Sequence, residues 1–178
     1  MFAILRRRAL PIAAALAIST AAALVIAIRV PAFAMDKGSA APNCKLSLID
    51  GKASTSLSQL PGKVLYVDFW ASWCVPCAAS FPFMNKLDKE LSGKGLQVVA
   101  INLDEKPDDA KKFLAKHPVR FSIAVKANET CAKEFGVQGM PSSFIVDRKG
   151  VIRLVHPGFK PGDAGKLRSL VGQLLAEH

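Results

Sequence analysis

Residues 68–77 of this 178-residue chain read DFWASWCVPC, which places Cys74 and Cys77 two residues apart. The residues from Val64 to Phe69 are nearly all apolar, as in a strand that is buried on both faces. From about Cys74 to Leu91, apolar residues recur at helical spacing, which predicts a helix. The two cysteines are therefore expected at the start of a helix that directly follows a central strand.

The position of this cysteine pair predicts thiol-disulfide chemistry. The amino end of a helix carries a partial positive charge that stabilises a thiolate, so Cys74 is the expected nucleophile. Lowering a thiol pKa from about 8.5 to about 7 corresponds to roughly 2 kcal/mol, which is within reach of a helix end. Cys77, one turn further along, is the expected resolving thiol. A structural zinc site and an inert disulfide are alternatives, but zinc needs a second ligand cluster, so no metal is predicted.

The rest of the chain alternates predicted strands and helices. A short β-hairpin through an Asp50-Gly51 turn leads the domain, and an aspartate is expected to cap the helix that begins at Asp108. The other expected elements are strands at 96–103, 121–125, 142–146 and 151–156, and helices at 108–116, 130–135 and 163–176. This order predicts the α/β class, with a mixed central sheet between two helical layers.

Residues 1–34 have the composition of an export leader. Arg6–Arg8 precede an uncharged, mainly apolar run from Ala9 to Ile28, and Ala32-Phe33-Ala34 matches a cleavage site. Because about 20 residues suffice to cross a bilayer as a helix, the segment is predicted to be a signal peptide or a signal anchor, with cleavage after Ala34 favoured. In either case the domain is exported to the periplasm, soluble after cleavage or tethered to the inner membrane by residues 9–28.

The remaining chain has room for one domain. Residues 35–43 are small and polar and are predicted to be a flexible lead-in, and residues 44–178 are predicted to be the domain. Without the four arginines of the leader, 20 basic and 14 acidic residues remain, so the net charge falls from +10 to +6. These charges are interspersed without a Lys/Arg block, which excludes nucleic acid as a partner.

The even number of cysteines, Cys44, Cys74, Cys77 and Cys131, is typical of an exported chain in an oxidising compartment. Four cysteines permit three pairings. If Cys74 pairs with Cys77, the other two remain for each other, and we predict that they form a structural disulfide. That bond would close a loop of about 90 residues and contribute on the order of 4 kcal/mol. Two free buried thiols or a redox sensor are the alternatives.

The DFWASWCVPC segment, followed by Pro82, resembles the active site of the thioredoxin superfamily, and Gly136–Pro141 is similar to the loop that carries the cis-proline of that family. The extra helix and strand between Asp108 and Val125, the hairpin and the leader resemble the TlpA/ResA/CcmG-like branch. The resemblance covers residues 42–176. It implies a thioredoxin fold, a three-layer α/β/α arrangement with a leading β-hairpin and a central α-β insertion.

The resemblance also implies roles for individual residues. Pro141 would be the cis-proline that packs against the cysteine pair, and the Met140 backbone would pair with an extended substrate segment. Asp68 stands where thioredoxins hold a buried acid of raised pKa that moves the proton of the resolving thiol. Its alternative is a strand-end aspartate bonded to nearby backbone. Ala100 replaces the lysine that accompanies this acid in thioredoxin. Trp73 is expected to form an apolar platform beside the disulfide or to be plain core.

These features predict an extracytoplasmic thiol-disulfide oxidoreductase with no cofactor besides its own disulfide. The resemblance implies a reductant of disulfides in exported proteins, as in cytochrome c or copper-site maturation, recharged by a membrane electron donor of the DsbD or CcdA type. The membrane itself is a partner only if the leader is retained. The alternatives are a disulfide-forming oxidant, a peroxiredoxin-like peroxidase and a soft-metal carrier for copper. Strong oxidants of this superfamily carry a histidine between the two cysteines, and this chain has none there. A peroxiredoxin-like peroxidase needs a threonine three residues before its cysteine, and Ala71 stands at that position.

Overall fold

The structure is a computed structural model that describes residues 35–51, 54–60, 62–125 and 128–177. The leader predicted at residues 1–34, and with it the choice between cleavage and anchoring, lies outside the described residues. None of the helices in the described part of the chain has the length and apolar content needed to span a bilayer.

Strands and helices alternate along the described chain in the predicted order. The strands are β1 (Lys45–Leu48), β2 (Ser54–Ser56), β3 (Val64–Trp70), β4 (Leu96–Asn102), β5 (Ser122–Val125), β6 (Ser142–Val146) and β7 (Ile152–Pro157). The α-helices are α1 (Val75–Leu91), α2 (Pro107–Lys116), α3 (Asn128–Glu134) and α4 (Asp163–Ala176). This order confirms the predicted α/β class.

The described strands form a seven-stranded mixed sheet in the order β2-β1-β5-β4-β3-β6-β7. The three central strands β3, β4 and β5 are parallel; beyond β3, β6 pairs antiparallel with β3, and β7 pairs antiparallel with β6. The leading hairpin joins the other side, because β1 pairs antiparallel with β5 and places Ser47 opposite Val125. The fold is the predicted thioredoxin fold, with α2 and β5 as its central insertion and the hairpin extending the sheet by two strands.

Strand β3 is buried along its whole length, as its apolar sequence predicts. Its side chains alternate between two cores, one on each face of the sheet. On the first face, Tyr66 and Trp70 pack with Phe81 of α1. On the second face, Phe69 packs with Phe135, just after α3, at a ring distance of 5.3 Å. Burying each such side chain contributes about 1.5–3 kcal/mol, so the end of β3, where the active-site loop begins, is held from both sides.

The start of α2 differs from the prediction. The helix begins at Pro107 with Lys106 in the N-cap position, and no side chain caps it. Proline is favoured in the first turn because its fixed φ suits a helix and its missing N–H needs no partner there. Asp108 and Asp109 therefore lie inside the first turn, where their charges interact favourably with the helix dipole. The predicted aspartate cap is wrong.

The segment predicted as a flexible lead-in is partly fixed to the sheet. The Gly38 N–H donates to the Ile152 carbonyl at 2.7 Å, and the Ile152 N–H donates to the Ser39 carbonyl at 2.9 Å. The reason is that β7 is an edge strand, whose free backbone groups can accept a further chain segment. Residues 35–43 are small and polar, but their backbone has a partner that composition alone does not reveal.

A disulfide between Cys44 and Cys131 ties the residue before β1 to α3, with 5.4 Å between the two Cα atoms. Both cysteines are buried in the second core, together with Phe69 and Phe135. The bond joins residues 87 positions apart. Closing so long a loop restricts the unfolded chain and stabilises the fold by about 4 kcal/mol.

Candidate active site

A second disulfide joins Cys74 and Cys77 where β3 leads into α1, with 5.3 Å between the two Cα atoms. Cys74 is the N-cap of α1, and its sulfur accepts a hydrogen bond from the Cys77 backbone N–H at 3.2 Å. Pro76 lies in the first turn, where proline favours helix initiation. A sulfur that caps the positive end of a helix is stabilised as a thiolate. Cys74 is 5% exposed and Cys77 is fully buried, so a partner meets Cys74 first.

The loop before Cys74 is held by Asp104, which lies just beyond β4. Its carboxylate accepts hydrogen bonds from the Ser72 backbone N–H at 3.0 and 3.1 Å and from the Ser72 hydroxyl at 3.1 Å. Asn102 Nδ2 also donates to Asp104, at 2.8 Å. The contact arises because β3 and β4 are parallel, so their carboxyl ends lie side by side. The sequence analysis did not identify Asp104, although its position just after a predicted parallel strand was a usable signal.

Asp68 lies within β3 and is fully buried. Strand alternation places its side chain on the same face as Tyr66 and Trp70, the face that packs against Cys77. Burial raises the pKa of Asp68 to about 7, against the opposing effect of a hydrogen bond from Ser143. A carboxyl that changes charge near neutral pH can accept and return a proton. The structure therefore supplies a buried acid on the side of the sheet where Cys77 lies.

The hydrogen-bond partner of Asp68 is a side chain from another strand and not nearby backbone. Ser143 of β6 donates through its hydroxyl to Asp68 Oδ1 at 2.6 Å. The Tyr66 hydroxyl in turn donates to Ser143 Oγ at 3.0 Å. Ala100 faces Asp68 from the other side, on β4, where the sequence analysis noted the missing lysine. The roles of Tyr66 and Ser143 were missed because they depend on the register of β3 against β6.

The two tryptophans of the active-site loop have different surroundings. Trp73 is 70% exposed, and with the 80% exposed Val75 it flanks Cys74. Trp73 and Cys74 line, together with Phe113 of α2, a cleft of about 450 Å³. Trp70 is fully buried, and its ring lies 5.1 Å from that of Phe113. Trp73 is thus an exposed apolar surface beside the disulfide, whereas Trp70 belongs to the core.

The loop before β6 borders the disulfide on its other side. The Met140–Pro141 peptide bond is cis. Both residues line a second cleft, of about 400 Å³, together with Pro76 and Phe159. The Gly158 N–H donates to the Pro141 carbonyl at 2.7 Å and holds this loop against the end of β7. Because Pro76 stands between the two cysteines, the structure brings the predicted cis-proline loop next to the active-site disulfide.

A Cys-x-x-Cys disulfide that opens the helix after a central strand, bordered by a cis-proline loop, defines the class of thioredoxin-fold thiol-disulfide oxidoreductases. Comparison with protein families gives a match to Redoxin over residues 36–174. The chain belongs to the Redoxin family. The family and the site confirm the prediction that the chain is a thiol-disulfide oxidoreductase.

Individual relatives agree with this assignment. The chain is 31% identical over 118 residues to the thiol-disulfide oxidoreductase ResA of Bacillus thuringiensis. The matched region covers 66% of this chain and 68% of the relative. It is 34% identical over 127 residues to the thioredoxin-like protein YneN of Bacillus subtilis, with 70% and 73% covered. A solved structure from Chlorobium tepidum, described as a thiol:disulfide interchange protein DsbE, is 44% identical with a TM-score of 0.75 and covers 79% of this chain and 99% of that one. The enzyme is therefore of the ResA/DsbE kind.

Proposed function

We propose that this oxidoreductase acts outside the cytoplasm as a reductant of disulfides in exported proteins. The observation that carries the exchange chemistry is the Cys74–Cys77 disulfide at the start of α1, with the fully buried carboxyl of Asp68, its pKa raised to about 7, on the sheet face that packs against Cys77. The direction of electron flow is taken from the resemblance to the TlpA/ResA/CcmG-like branch. To release a reduced substrate, the buried Cys77 must lose its proton, and Asp68 is a base that can take it. The leader-like residues 1–34 and the even number of cysteines support a location in an oxidising compartment.

The reaction consists of two thiol-disulfide exchanges. In the dithiol form, the Cys74 thiolate attacks one sulfur of the substrate disulfide, so a Cys74–S bond forms and the other substrate sulfur leaves as a thiolate. Asp68 then accepts the proton of Cys77, and the Cys77 thiolate attacks the Cys74 sulfur. The Cys74–Cys77 bond forms, the bond from Cys74 to the substrate breaks, and the second substrate thiolate leaves and is protonated. Two electrons pass from the enzyme to the substrate.

The two clefts that flank Cys74 form the proposed binding surface for the protein substrate. Trp73 and Val75 expose apolar side chains on one side, where an incoming segment can bury them. On the other side, the Met140 backbone, next to Pro141, would pair with an extended substrate segment as an added strand does. A segment that crosses from one cleft to the other would present its disulfide to Cys74.

The oxidised enzyme needs an electron source to return to the dithiol form. We propose a membrane electron donor of the DsbD or CcdA type, and substrates from cytochrome c or copper-site maturation, because the chain resembles the TlpA/ResA/CcmG-like branch. The donor would use the same exchange chemistry, with a thiolate attacking the Cys74–Cys77 disulfide.

Trapping identifies the partners. The Cys77→Ala variant keeps the nucleophile but cannot resolve the mixed disulfide, so covalent complexes through Cys74 should accumulate in cells that produce the full chain. The matched control is Cys74→Ser with Cys77→Ala, which should trap nothing. Exported cysteine-containing proteins among the complexes would support the proposal. Complexes with cytoplasmic proteins alone would contradict it.

Equilibration with a glutathione buffer tests the direction of electron flow. A reductant should give a potential for Cys74–Cys77 near the value of thioredoxin, about −270 mV. A potential near about −120 mV, as in the strong oxidant DsbA, would contradict the reductant role.

A further inference from the structure

Three buried polar side chains form a hydrogen-bonded chain on the sheet face that packs against α1. Tyr66 donates to Ser143 at 3.0 Å, and Ser143 donates to Asp68 at 2.6 Å. All three are at most 1% exposed. We propose that Ser143, itself oriented by Tyr66, is a positioning residue that prepares Asp68 for proton exchange with Cys77. The inference rests on the proposed role of Asp68.

The hydrogen bonds from Tyr66 through Ser143 to Asp68 all point the same way, from donor to acceptor. Burial raises the pKa of Tyr66 well above its usual value, so its hydroxyl remains protonated and acts as the donor. Ser143 has a single hydroxyl proton, and because its oxygen accepts from Tyr66, that proton is directed to Asp68 Oδ1. Among the described residues, Asp68 Oδ2 has no hydrogen-bond partner. Oδ1 is therefore the anchored oxygen, and Oδ2 is the oxygen that remains for the exchangeable proton.

Ser143 is the described group that acts most directly on the charge of Asp68. Its hydrogen bond favours the carboxylate and opposes the effect of burial. The titratable groups nearest to this hydrogen-bonded chain include Cys77 of α1 and Tyr66 in the same core, Asp163 at the start of α4, whose charge acts on Tyr66, and His156 of β7, which lies opposite Ser143. The last two pair with each other at 3.2 Å. The hydroxyls of Tyr66 and Ser143 thus stabilise the Asp68 carboxylate, whereas Ala100, opposite Asp68 on β4, carries no positive charge that could do so.

Removing the Ser143 hydroxyl should raise the pH at which Asp68 loses its proton. The free energy of a hydrogen bond to a charged group is equivalent to about one pH unit in a titration. We therefore expect the midpoint of the Asp68 titration to lie about one pH unit higher in Ser143→Ala than in the parent. Ser143→Thr keeps a hydroxyl and should restore most of the shift. Tyr66→Phe should give a smaller shift in the same direction. Carboxyl ¹³C NMR of the reduced full chain measures the titration, and the pH profile of substrate release from the mixed disulfide measures its consequence.

Ser142→Ala is the matched control, because Ser142 is a buried neighbour whose hydroxyl donates to the Gly139 carbonyl at 2.7 Å and not to Asp68. It should leave the Asp68 titration unchanged. Thermal unfolding identifies variants that fail to fold. If Ser143→Ala fails to fold, Tyr66→Phe and Ser143→Thr still test the hydrogen-bonded chain from Tyr66 to Asp68. An Asp68 titration that is the same in Ser143→Ala and Tyr66→Phe as in the parent would overturn the inference.

The Asp68→Asn variant separates this inference from the function on which it rests. Asp68→Asn should remove the pH dependence of substrate release near neutral pH, and adding Ser143→Ala should then cause no further shift. If Asp68→Asn leaves the release profile unchanged, the proposed role of Asp68 is wrong and the inference is overturned with it. If Asp68→Asn changes the profile but Ser143→Ala does not, only the positioning role of Ser143 is refuted.

Discussion

The two disulfides lie in cores on opposite faces of the same sheet. Cys74–Cys77 joins residues three positions apart at a helix start, beside the exposed Trp73. Cys44–Cys131 joins residues 87 positions apart and is buried among aromatic side chains. In both pairs the cysteines are at most 5% exposed, so low exposure alone does not distinguish them. The surroundings of the first pair are distinctive: Cys74 caps the start of α1, it lines a cleft with the exposed Trp73, and strand alternation places the buried Asp68 on the same face of the sheet.

The two disulfides contribute differently to the free energy of unfolding because they close loops of different length. In the chain-entropy description, closing a loop as short as that of Cys74–Cys77 stabilises a fold by about 2 kcal/mol, whereas the long loop of Cys44–Cys131 corresponds to about 4 kcal/mol. The catalytic bond can therefore open and close in each cycle at a modest cost in stability. The other bond ties the residue before the leading hairpin to α3.

The largest expected effect is on turnover. Cys74→Ser removes the nucleophile, so insulin reduction should fall to the uncatalysed rate while the fold is retained. Turnover in the presence of dithiothreitol, followed by insulin precipitation, measures this. The double variant Cys44→Ala with Cys131→Ala, assayed well below its unfolding temperature, is the control and should keep its turnover. Equal loss in both variants would remove the distinction between the two pairs.

The same double variant should show the largest loss of stability. Without the Cys44–Cys131 bond, the free energy of unfolding should fall by about 4 kcal/mol, because the unfolded chain regains the entropy of a long loop. Urea unfolding of the oxidised proteins measures the difference. Cys74→Ser with Cys77→Ser is the comparison and should lose about 2 kcal/mol. A larger loss from the second variant would reverse the assignment of the structural bond.

The buried acid should give the stability a pH dependence. The pKa of Asp68 is raised from its usual 3.8 to about 7, so between these values the folded state holds a proton that the unfolded state releases. Stability therefore falls as the pH rises through this window, by about 4 kcal/mol in all. Asp68→Asn cannot ionise and should be more stable than the parent by up to about this amount at pH 8, and similar to it at pH 3.5. Urea unfolding at both pH values tests this, and an equal difference at both would contradict the raised pKa.

The smallest effect is expected at the loop that carries Cys74. Asp104→Ala removes the carboxylate that holds Ser72, and should destabilise the fold by about 2 kcal/mol and lower turnover severalfold. Asp108→Ala is the control, because its exposed ion pair with Lys111 contributes little to stability. If the two variants behave alike in unfolding and turnover, Asp104 does not support the active-site loop.

The parts of the site that depend on local sequence could be predicted, and those that depend on strand register could not. The helix start at Cys74 follows from an apolar strand and a helical apolar pattern that adjoin it in the chain. Ser143 lies 75 residues from Asp68, and nothing local reveals that β6 brings the two into register. Asp104 likewise reaches Ser72 only because β4 lies beside β3.

The hairpin and the start of α2 illustrate the same limit. The short strands β1 and β2 could be predicted from their Asp-Gly turn, but their attachment to β5 follows from tertiary pairing. At α2, Asp108 has the side chain of a cap, yet Pro107 sets the helix start one residue earlier. Competing local preferences and long-range pairing thus account for what the sequence analysis missed.

The most direct test of the central claim is a redox titration in which free thiols are alkylated at each potential and located by peptide mass mapping. We expect Cys74 and Cys77 to become labelled together at a potential near that of thioredoxin, about −270 mV. Cys44 and Cys131 should stay bonded until the potential falls below about −300 mV, as is typical of structural disulfides. Release of all four thiols at one potential would contradict the division into a catalytic and a structural pair.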